Sequence, residues 1–392
     1  MSSNSGQIEN FKLVRADIQD RFISVTWSSG SKSLFPCVWL RDNCQSQDCF
    51  HPSTKSRLLT LDNIDTDEIP TNVKINCNNE LEIVWKNNHV SLYKAEWLDK
   101  RRFEEDARKK RLTWLGTDME LWGSEMKNKV PVQQFQKILD DDNELYLWLR
   151  HLEKYGLVLI KDAPREVGQL NKLGQRVFFL RKTHYGETFQ VKVKADPNNA
   201  AYTTGILNLH IDQCYYDYTP GVQMLHCIEN EAEGGESEFC DGFHVVNQLK
   251  ERFAEYFNIL KSVDLDFMDI GTENNRKFHK IHRCPTICTN HKGEILKIMF
   301  NNAIRDSHID CDAETALKIY ESLKVFHKLL NDERNKISFK LKPGEIVCFH
   351  NFRVLHGRKA FKSNRNRHLE GAYIDWDEIH DKMRVLRSEL NN

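Results

Sequence analysis

Three side chains in this sequence have the types and spacing to hold one metal ion with room left for chemistry. His210-Ile211-Asp212 offers an imidazole and a carboxylate two residues apart. On an extended chain, residues i and i+2 point to the same face. His356, in Val354-Leu355-His356-Gly357-Arg358 beyond the Pro343-Gly344 turn, is the candidate second imidazole. Two histidines and one carboxylate on one face of a ferrous ion leave about three coordination positions open for a chelating substrate and dioxygen. The sequence carries its own control, because His308-Ile309-Asp310 repeats the tripeptide. Only about 45 residues separate Asp310 from His356, and a helix with Ile319, Leu323, Phe326 and Leu330 on one face takes up much of them. From Asp212 to His356 there are about 144 residues, ample for strands that bring distant segments together. His210 is therefore read as the ligand and His308 as an exposed loop residue.

The open positions suit a 2-oxo acid such as 2-oxoglutarate, which chelates iron through its keto and carboxylate oxygens. Its far carboxylate then calls for a bidentate guanidinium. Arg367 lies eleven residues after His356, at the start of Arg367-His368-Leu369-Glu370-Gly371-Ala372-Tyr373. Period 2 puts Arg367, Leu369, Gly371 and Tyr373 on one face. If that face looks inward, it brings Arg367 and Tyr373 to the same pocket.

These residues need a scaffold. Residues from about 10 to 97 read as short strands, such as Phe22–Trp27 and Leu81–Trp85, separated by turns at Ser29-Gly30-Ser31 and Asn78-Asn79. Charge density jumps from Lys100 to Arg111, read as a solvated helical linker. It divides a small β-rich domain, 1–105, from a second domain, 106–392. The second domain opens with a helix whose stripe is Leu145, Trp148, Leu149 and Leu152, ended by Gly156. Strands then dominate: Leu157–Ile160, Val222–Ile228, Ile295–Phe300, Glu345–Phe349 and His368–Ile374. The expected class is mainly β with flanking helices, a double-stranded β-helix or jelly roll and not a doubly wound α/β sheet. No G-x-G-x-x-G and no phosphate-binding loop occurs. Lys+Arg is 56 against Asp+Glu 57, a net charge of −1, which argues against nucleic acid and against docking on acidic membranes. No apolar run is long enough to span a bilayer. The start of the chain is polar and carries Glu9, Asp17 and Asp20, unlike a targeting leader. Together with eleven scattered cysteines, this leads to the expectation of a reducing compartment, the cytoplasm.

From about residue 36 onward the chain resembles the gamma-butyrobetaine and trimethyllysine hydroxylase family of Fe(II)/2-oxoglutarate oxygenases. The matching stretches are Val38-Trp39-Leu40-Arg41-Asp42-Asn43-Cys44, Ala201-Tyr202-Thr203-Thr204-Gly205, Pro220-Gly221-Val222-Gln223, Phe300-Asn301-Asn302, Leu355-His356-Gly357-Arg358 and Arg367 to Tyr373. The resemblance implies iron on His210, Asp212 and His356, 2-oxoglutarate on Arg367 with Leu225 and Ser237 beside it, ascorbate as reductant, and a homodimer. It implies hydroxylation of gamma-butyrobetaine to L-carnitine with release of succinate and CO2. The alternative substrate is N6-trimethyllysine. A quaternary ammonium has no N–H to donate and is held by π-faces. The resemblance places that cage on Tyr185, Phe189, Tyr202 and Tyr373, with Phe189 where the family usually has Trp. Asn199 and Asn302 would donate to the carboxylate. The amide at Asn199 suits a plain carboxylate, whereas an acidic residue would suit the α-ammonium of trimethyllysine. Gln213-Cys214-Tyr215-Tyr216 departs from the butyrobetaine pattern.

The same resemblance places zinc on three cysteines and a histidine of the small domain. Here Cys44, Cys49 and His89 are present, but Ser46 stands where the middle cysteine would be. Cys37 or His51 supplies the fourth ligand, or the site is weak or empty. His279, His282, Cys284, Cys288 and His291 also cluster, but Cys284-Pro285-Thr286-Ile287-Cys288 fits no common zinc pairing and is read as a turn between strands. Two rival classes remain: a non-catalytic jelly-roll binding protein that kept the metal, and a cupin-type enzyme without 2-oxoglutarate. The second would need neither Arg367 nor the aromatic set.

Overall fold

The computed structural model describes residues 12–114, 119–192, 203–273, 275–362 and 366–390. The chain divides into two compact units, Met1–Thr117 and Asp118–Asn392.

In the first unit, β1 (Leu13–Gln19), β2 (Phe22–Trp27) and β3 (Lys32–Pro36) form one antiparallel sheet. A second comprises β4 (Asn72–Ile75), β5 (Glu80–Val84) and β6 (Val90–Lys94). The period of two is plain in β6, where Ser91 and Tyr93 are buried while Val90, Leu92 and Lys94 are exposed. Ile23, Val25, Phe35, Leu81, Ile83, Trp85 and Tyr93 form the core of the unit. The charged stretch after residue 100 is helical over Glu105–Trp114.

The second unit is layered. Its strands are β7 (Val132–Gln134), β8 (Leu157–Lys161), β9 (Thr188–Val191), β10 (Leu207–His210), β11 (Val222–Asn230) and β12 (Ser237–Asp241). A long hairpin, β13 (Asp264–Glu273) and β14 (Arg276–Pro285), and a short one, β15 (Ile287–Thr289) and β16 (Ile295–Ile298), follow. The last four are β17 (Lys336–Phe339), β18 (Ile346–His350), β19 (Val354–Arg358) and β20 (Arg367–Ile374). One sheet has six strands in the order β9-β20-β11-β18-β8-β7, and another has four in the order β10-β19-β12-β17. All pairings are antiparallel except the short parallel β7–β8 pair at the edge.

Residue parity shows what each face does. In β18, Val347 and Phe349 pack with Phe239, Val354 and Leu369 in a core drawn from both sheets. The alternate residues Ile346 and Cys348 pack outward against Trp148, Leu152, Leu173 and Ile379 of the covering helices. The helix Asp142–Tyr155 buries the expected stripe Leu145, Trp148, Leu149 and Leu152. Its N-terminus is capped by Asp141, which accepts from the Asn143 N–H, and it ends at Gly156 with φ 70°. The far side of the four-stranded sheet packs Leu209, Ile211, Phe243 and Leu355 against the helix Ala313–Leu330 and the hairpins. The sheets are thus sandwiched between helical layers, as strands with flanking helices require. Among the described residues no helix is long and apolar enough to cross a membrane.

Candidate active site

β10 ends on His210, and β19 carries His356 directly opposite it in the register. Their rings lie 4.2 Å apart. The chain then turns, with Gln213 at φ 57°, and the side chain of buried Asn351 clamps the turn by accepting from Asp212 N–H and donating to the Asp212 and Pro220 carbonyls. That clamp returns the Asp212 carboxylate to the two imidazoles. His210 Nε2 stands 3.1 Å and His356 Nε2 3.8 Å from Asp212 Oδ1. The donor atoms of all three lie within 4.8 Å of one another. His308, by contrast, is exposed and pairs with Asp306 at 3.0 Å, while Asp310 pairs with Arg283.

The donor chemistry fits a metal. The neighbour of His210 Nδ1 is the Asn208 carbonyl, 2.8 Å away, which can only accept, so Nδ1 carries the proton. In the neutral ring, Nε2 then presents a lone pair to a carboxylate oxygen, an arrangement a cation relieves. His356 Nδ1 is buried without a partner. Burial alone would raise the Asp212 carboxyl. The charge of His356 and the bonds from His210 and Tyr373 overcome it and hold the group well below the ordinary range.

An anion fits nearby. Arg367 faces inward with Leu369, Gly371 and Tyr373, and its Nε is buried with no acceptor. Burial lowers its guanidinium to about 10. Arg358 is likewise lowered to about 10, by burial and then by the charge of Arg367. Both guanidinium groups lie over the Phe361 ring, at 5.1 and 4.7 Å from its centroid. Arg358 also donates to the carbonyls of Thr203 and Gly205. Ser237 is buried opposite Arg358 in the register, and half-buried Leu225 lies opposite Gly371. Two close cations with an unfilled donor suit an anion such as a carboxylate. Sequence reasoning gave Arg358 no role, because its place beside Arg367 depends on how the four-stranded and six-stranded sheets face each other.

The aromatic set also converges. Phe189 stacks on Tyr373 with centroids 5.4 Å apart, and Tyr185 lies 5.9 Å from Phe189. Phe189 is the register partner of Gly371, where a Cβ would run into its ring. The glycine is what lets the aromatic lie flat on the sheet. The Tyr373 hydroxyl donates to Asp212 Oδ2 over 2.7 Å, joining this set to the His210-Asp212-His356 group. His184 lies against Tyr185 at 3.9 Å and hydrogen-bonds Tyr216 at 2.9 Å, which sequence reasoning did not find. Asn302 is exposed and accepts from Arg305. Asn199 and Tyr202 lie outside the described residues.

A second cluster lies in the first unit. Cys44 Sγ and Cys49 Sγ approach His89 Nε2 at 3.2 and 3.5 Å. Ser46 Oγ fills the remaining side, 3.4 Å from Cys44 Sγ and 3.5 Å from His89 Nε2. Ser91 Oγ donates to Cys44 Sγ and Arg41 to Cys49 Sγ. Buried Cys37 belongs to the apolar core, and exposed His51 accepts from Thr54. Neither joins the group. Among the described residues, the histidines and cysteines between 279 and 291 form no such cluster.

Comparison with known proteins agrees with this geometry. Residues 117–373 match the model of the taurine catabolism dioxygenase TauD, TfdA family, and residues 14–99 match the gamma-butyrobetaine hydroxylase-like N-terminal family. The chain is 40% identical to human gamma-butyrobetaine dioxygenase over 94% of its own length and 95% of that protein. It is 31% identical to the Pseudomonas enzyme of the same name, over 93% and 94%. It is 28% identical to mouse mitochondrial trimethyllysine dioxygenase, over 91% and 84%. The chain belongs to the TauD, TfdA family of dioxygenases, in the group formed by the gamma-butyrobetaine and trimethyllysine dioxygenases.

Proposed function

We propose that this protein hydroxylates gamma-butyrobetaine to L-carnitine with Fe(II) and 2-oxoglutarate, releasing succinate and CO2. The observation that carries the reading is the Tyr373 hydroxyl on Asp212, which ties an aromatic pocket to a His-Asp-His constellation. His210, Asp212 and His356 hold Fe(II). Arg367 takes the far carboxylate of 2-oxoglutarate, with Ser237 and Leu225 lining its path. Tyr185, Phe189, Tyr202 and Tyr373 receive the trimethylammonium group, and Asn199 and Asn302 donate to the substrate carboxylate. Bound Fe(II), with 2-oxoglutarate and dioxygen, supplies the oxidising equivalent that hydroxylates a C–H bond. The chain's own part is positioning. Aromatic faces hold a cation that cannot donate, amide donors hold the other end, and the carbon beta to the carboxylate is left facing the metal.

The six- and four-stranded sheets, with a shared core between them, are read as the two halves of a jelly roll. Residues 1–105 form the small domain and 106–392 the catalytic domain. The break between units and the two family matches support that division. Cys44, Cys49 and His89 bind zinc with Ser46 as a weak fourth ligand. Ascorbate keeps the iron reduced, and the protein works as a cytoplasmic homodimer. None of the eleven cysteines is in a disulfide, which is consistent with a reducing compartment.

The test is incubation of the purified protein with Fe(II), 2-oxoglutarate and either gamma-butyrobetaine or N6-trimethyllysine, read by mass spectrometry. L-Carnitine from the first at the higher rate is expected. Faster turnover of the second assigns the protein to trimethyllysine, and turnover of neither sinks the reading.

A further inference from the structure

A carboxylate stands one ring behind the aromatic set. The hairpin of β13 and β14 pairs Asp269 with Lys280 and Gly271 with Phe278. By the period of two, these four residues share one face of the hairpin. That face packs on His184. The Phe278 centroid lies 4.4 Å from that of His184, and Asp269 Oδ2 lies 3.9 Å from His184 Nε2. On its other contact, the His184 ring lies against Tyr185 with centroids 3.9 Å apart. Tyr185, Phe189 and Tyr373 then follow ring against ring to the bond on Asp212. A single imidazole therefore separates the Asp269 carboxylate from the aromatic set.

The imidazole is fixed and uncharged. The Tyr216 hydroxyl accepts from the His184 backbone N–H over 3.1 Å and bonds Nδ1 over 2.9 Å, which holds the ring in place. Burial, and then the charge of Lys280, lowers His184 to about 4, so at pH 7 it leaves the charge of Asp269 uncancelled. Burial raises the Asp269 carboxyl, and the bond from Tyr215 and the charge of Lys280 oppose that rise. Lys280 holds its ammonium over the outer ring of Tyr216, 4.7 Å from the centroid, and among the described residues it forms no ion pair with Asp269. A charge so placed, half-buried and behind apolar rings, acts across a lower effective dielectric than one in water. It favours a cation in the aromatic set and does nothing for an uncharged group of the same shape.

We propose that Asp269 determines specificity at the cationic end of the substrate, its negative charge acting across the His184 ring so that the aromatic set selects a quaternary ammonium over a neutral isostere. The inference rests on the gamma-butyrobetaine reading above. Asp269 reaches the pocket through His184 and is a positioning residue.

The test compares wild type, Asp269→Asn and Lys280→Gln, each loaded with Fe(II) and 2-oxoglutarate and kept free of dioxygen. Calorimetry measures the Kd of gamma-butyrobetaine and of 5,5-dimethylhexanoate, the same molecule with carbon in place of nitrogen. The asparagine variant is expected to weaken gamma-butyrobetaine roughly 5- to 30-fold, the worth of a unit charge one ring distant, and to leave the neutral isostere unchanged. Lys280→Gln removes the opposing charge and should increase the wild-type preference for the cation, by a smaller factor. A wild type without that preference, or an asparagine variant that keeps it in full, overturns the inference and leaves the reaction assignment intact. Equal weakening of both ligands is the second of these outcomes, the mark of a merely structural role. Wild-type protein that does not bind gamma-butyrobetaine overturns the underlying reading and the inference with it. If the asparagine variant does not fold, Lys280→Gln decides: a preference that is unchanged or reduced overturns the inference.

Discussion

The Tyr373 hydroxyl donates to Asp212 Oδ2 over 2.7 Å while the ring of the same residue stacks on Phe189. In the proposed site one side chain thus both orients a metal ligand and forms a wall of the substrate pocket. Removing only the hydroxyl separates the two duties. Tyr373→Phe keeps the ring and frees one carboxylate oxygen, so iron affinity should fall about 10- to 100-fold while KM for gamma-butyrobetaine stays close to wild type. Iron titration followed by the change in 2-oxoglutarate-dependent absorbance checks it. Unchanged iron affinity would show that the bond does not orient Asp212.

Asp241 and Arg353 form an ion pair with neither side chain exposed. Asp241 also accepts from the N–H groups of Trp122, Phe243 and His244, capping the helix Gly242–Arg252, while Arg353 donates to the Lys154 carbonyl and precedes the strand that carries His356. Asp241→Asn strands a buried guanidinium and should cost about 3–5 kcal/mol of stability. Urea unfolding measures it. A loss well below 1 kcal/mol would mean that water or local rearrangement solvates Arg353.

His226 lies fully buried on β11 with neither ring nitrogen bonded. Burial, with some help from the charge of His368, pushes its pKa down to about 4 from 6.5. His184 is pushed down to about 4 by burial and then by Lys280. Between those values the unfolded chain binds protons that the native state refuses. Stability therefore rises with pH from about 4 to 6.5, by at most about 1.4 kcal/mol per pH unit for each histidine, and is lost as pH falls through that window. His226→Met removes an unsatisfied imidazole, should not destabilise at pH 7, and should flatten the slope by one proton. An unaltered slope would place proton uptake elsewhere.

Ser46 faces Cys44 and His89 where a third thiolate would complete a tetrahedron. Purified protein should carry zinc below one per chain, and Ser46→Cys should raise it to one. Elemental analysis that finds no zinc in either protein would remove the metal from the small unit.

Much of this was legible in the sequence, and the limits are physical. The inward face of Arg367 to Tyr373 is a period-2 fact of a local chain, and the sheet keeps that parity, whereas the strand ends at His210 and it is a turn held by Asn351, not strand parity, that brings Asp212 back to the imidazoles. The helix that buries Leu145, Trp148 and Leu152 announced itself by its stripe and by Gly156. What could not be read are contacts that exist only once the two sheets and their connecting turns come together. Arg358 meets Arg367, Asn351 clamps Asp212 from 139 positions away, and Tyr373 reaches it from 161. Nothing in the spacing of Asn302 and Arg305 distinguishes a guanidinium bonded to that amide from a surface arginine.

The central claim is that one His-Asp-His site couples decarboxylation of 2-oxoglutarate to hydroxylation of gamma-butyrobetaine. The most direct measurement is the ratio of succinate to L-carnitine formed by the wild-type protein, with His356→Ala alongside. The account predicts a ratio near one for the wild type and neither product from the variant. Succinate without L-carnitine, or full turnover by His356→Ala, would contradict it.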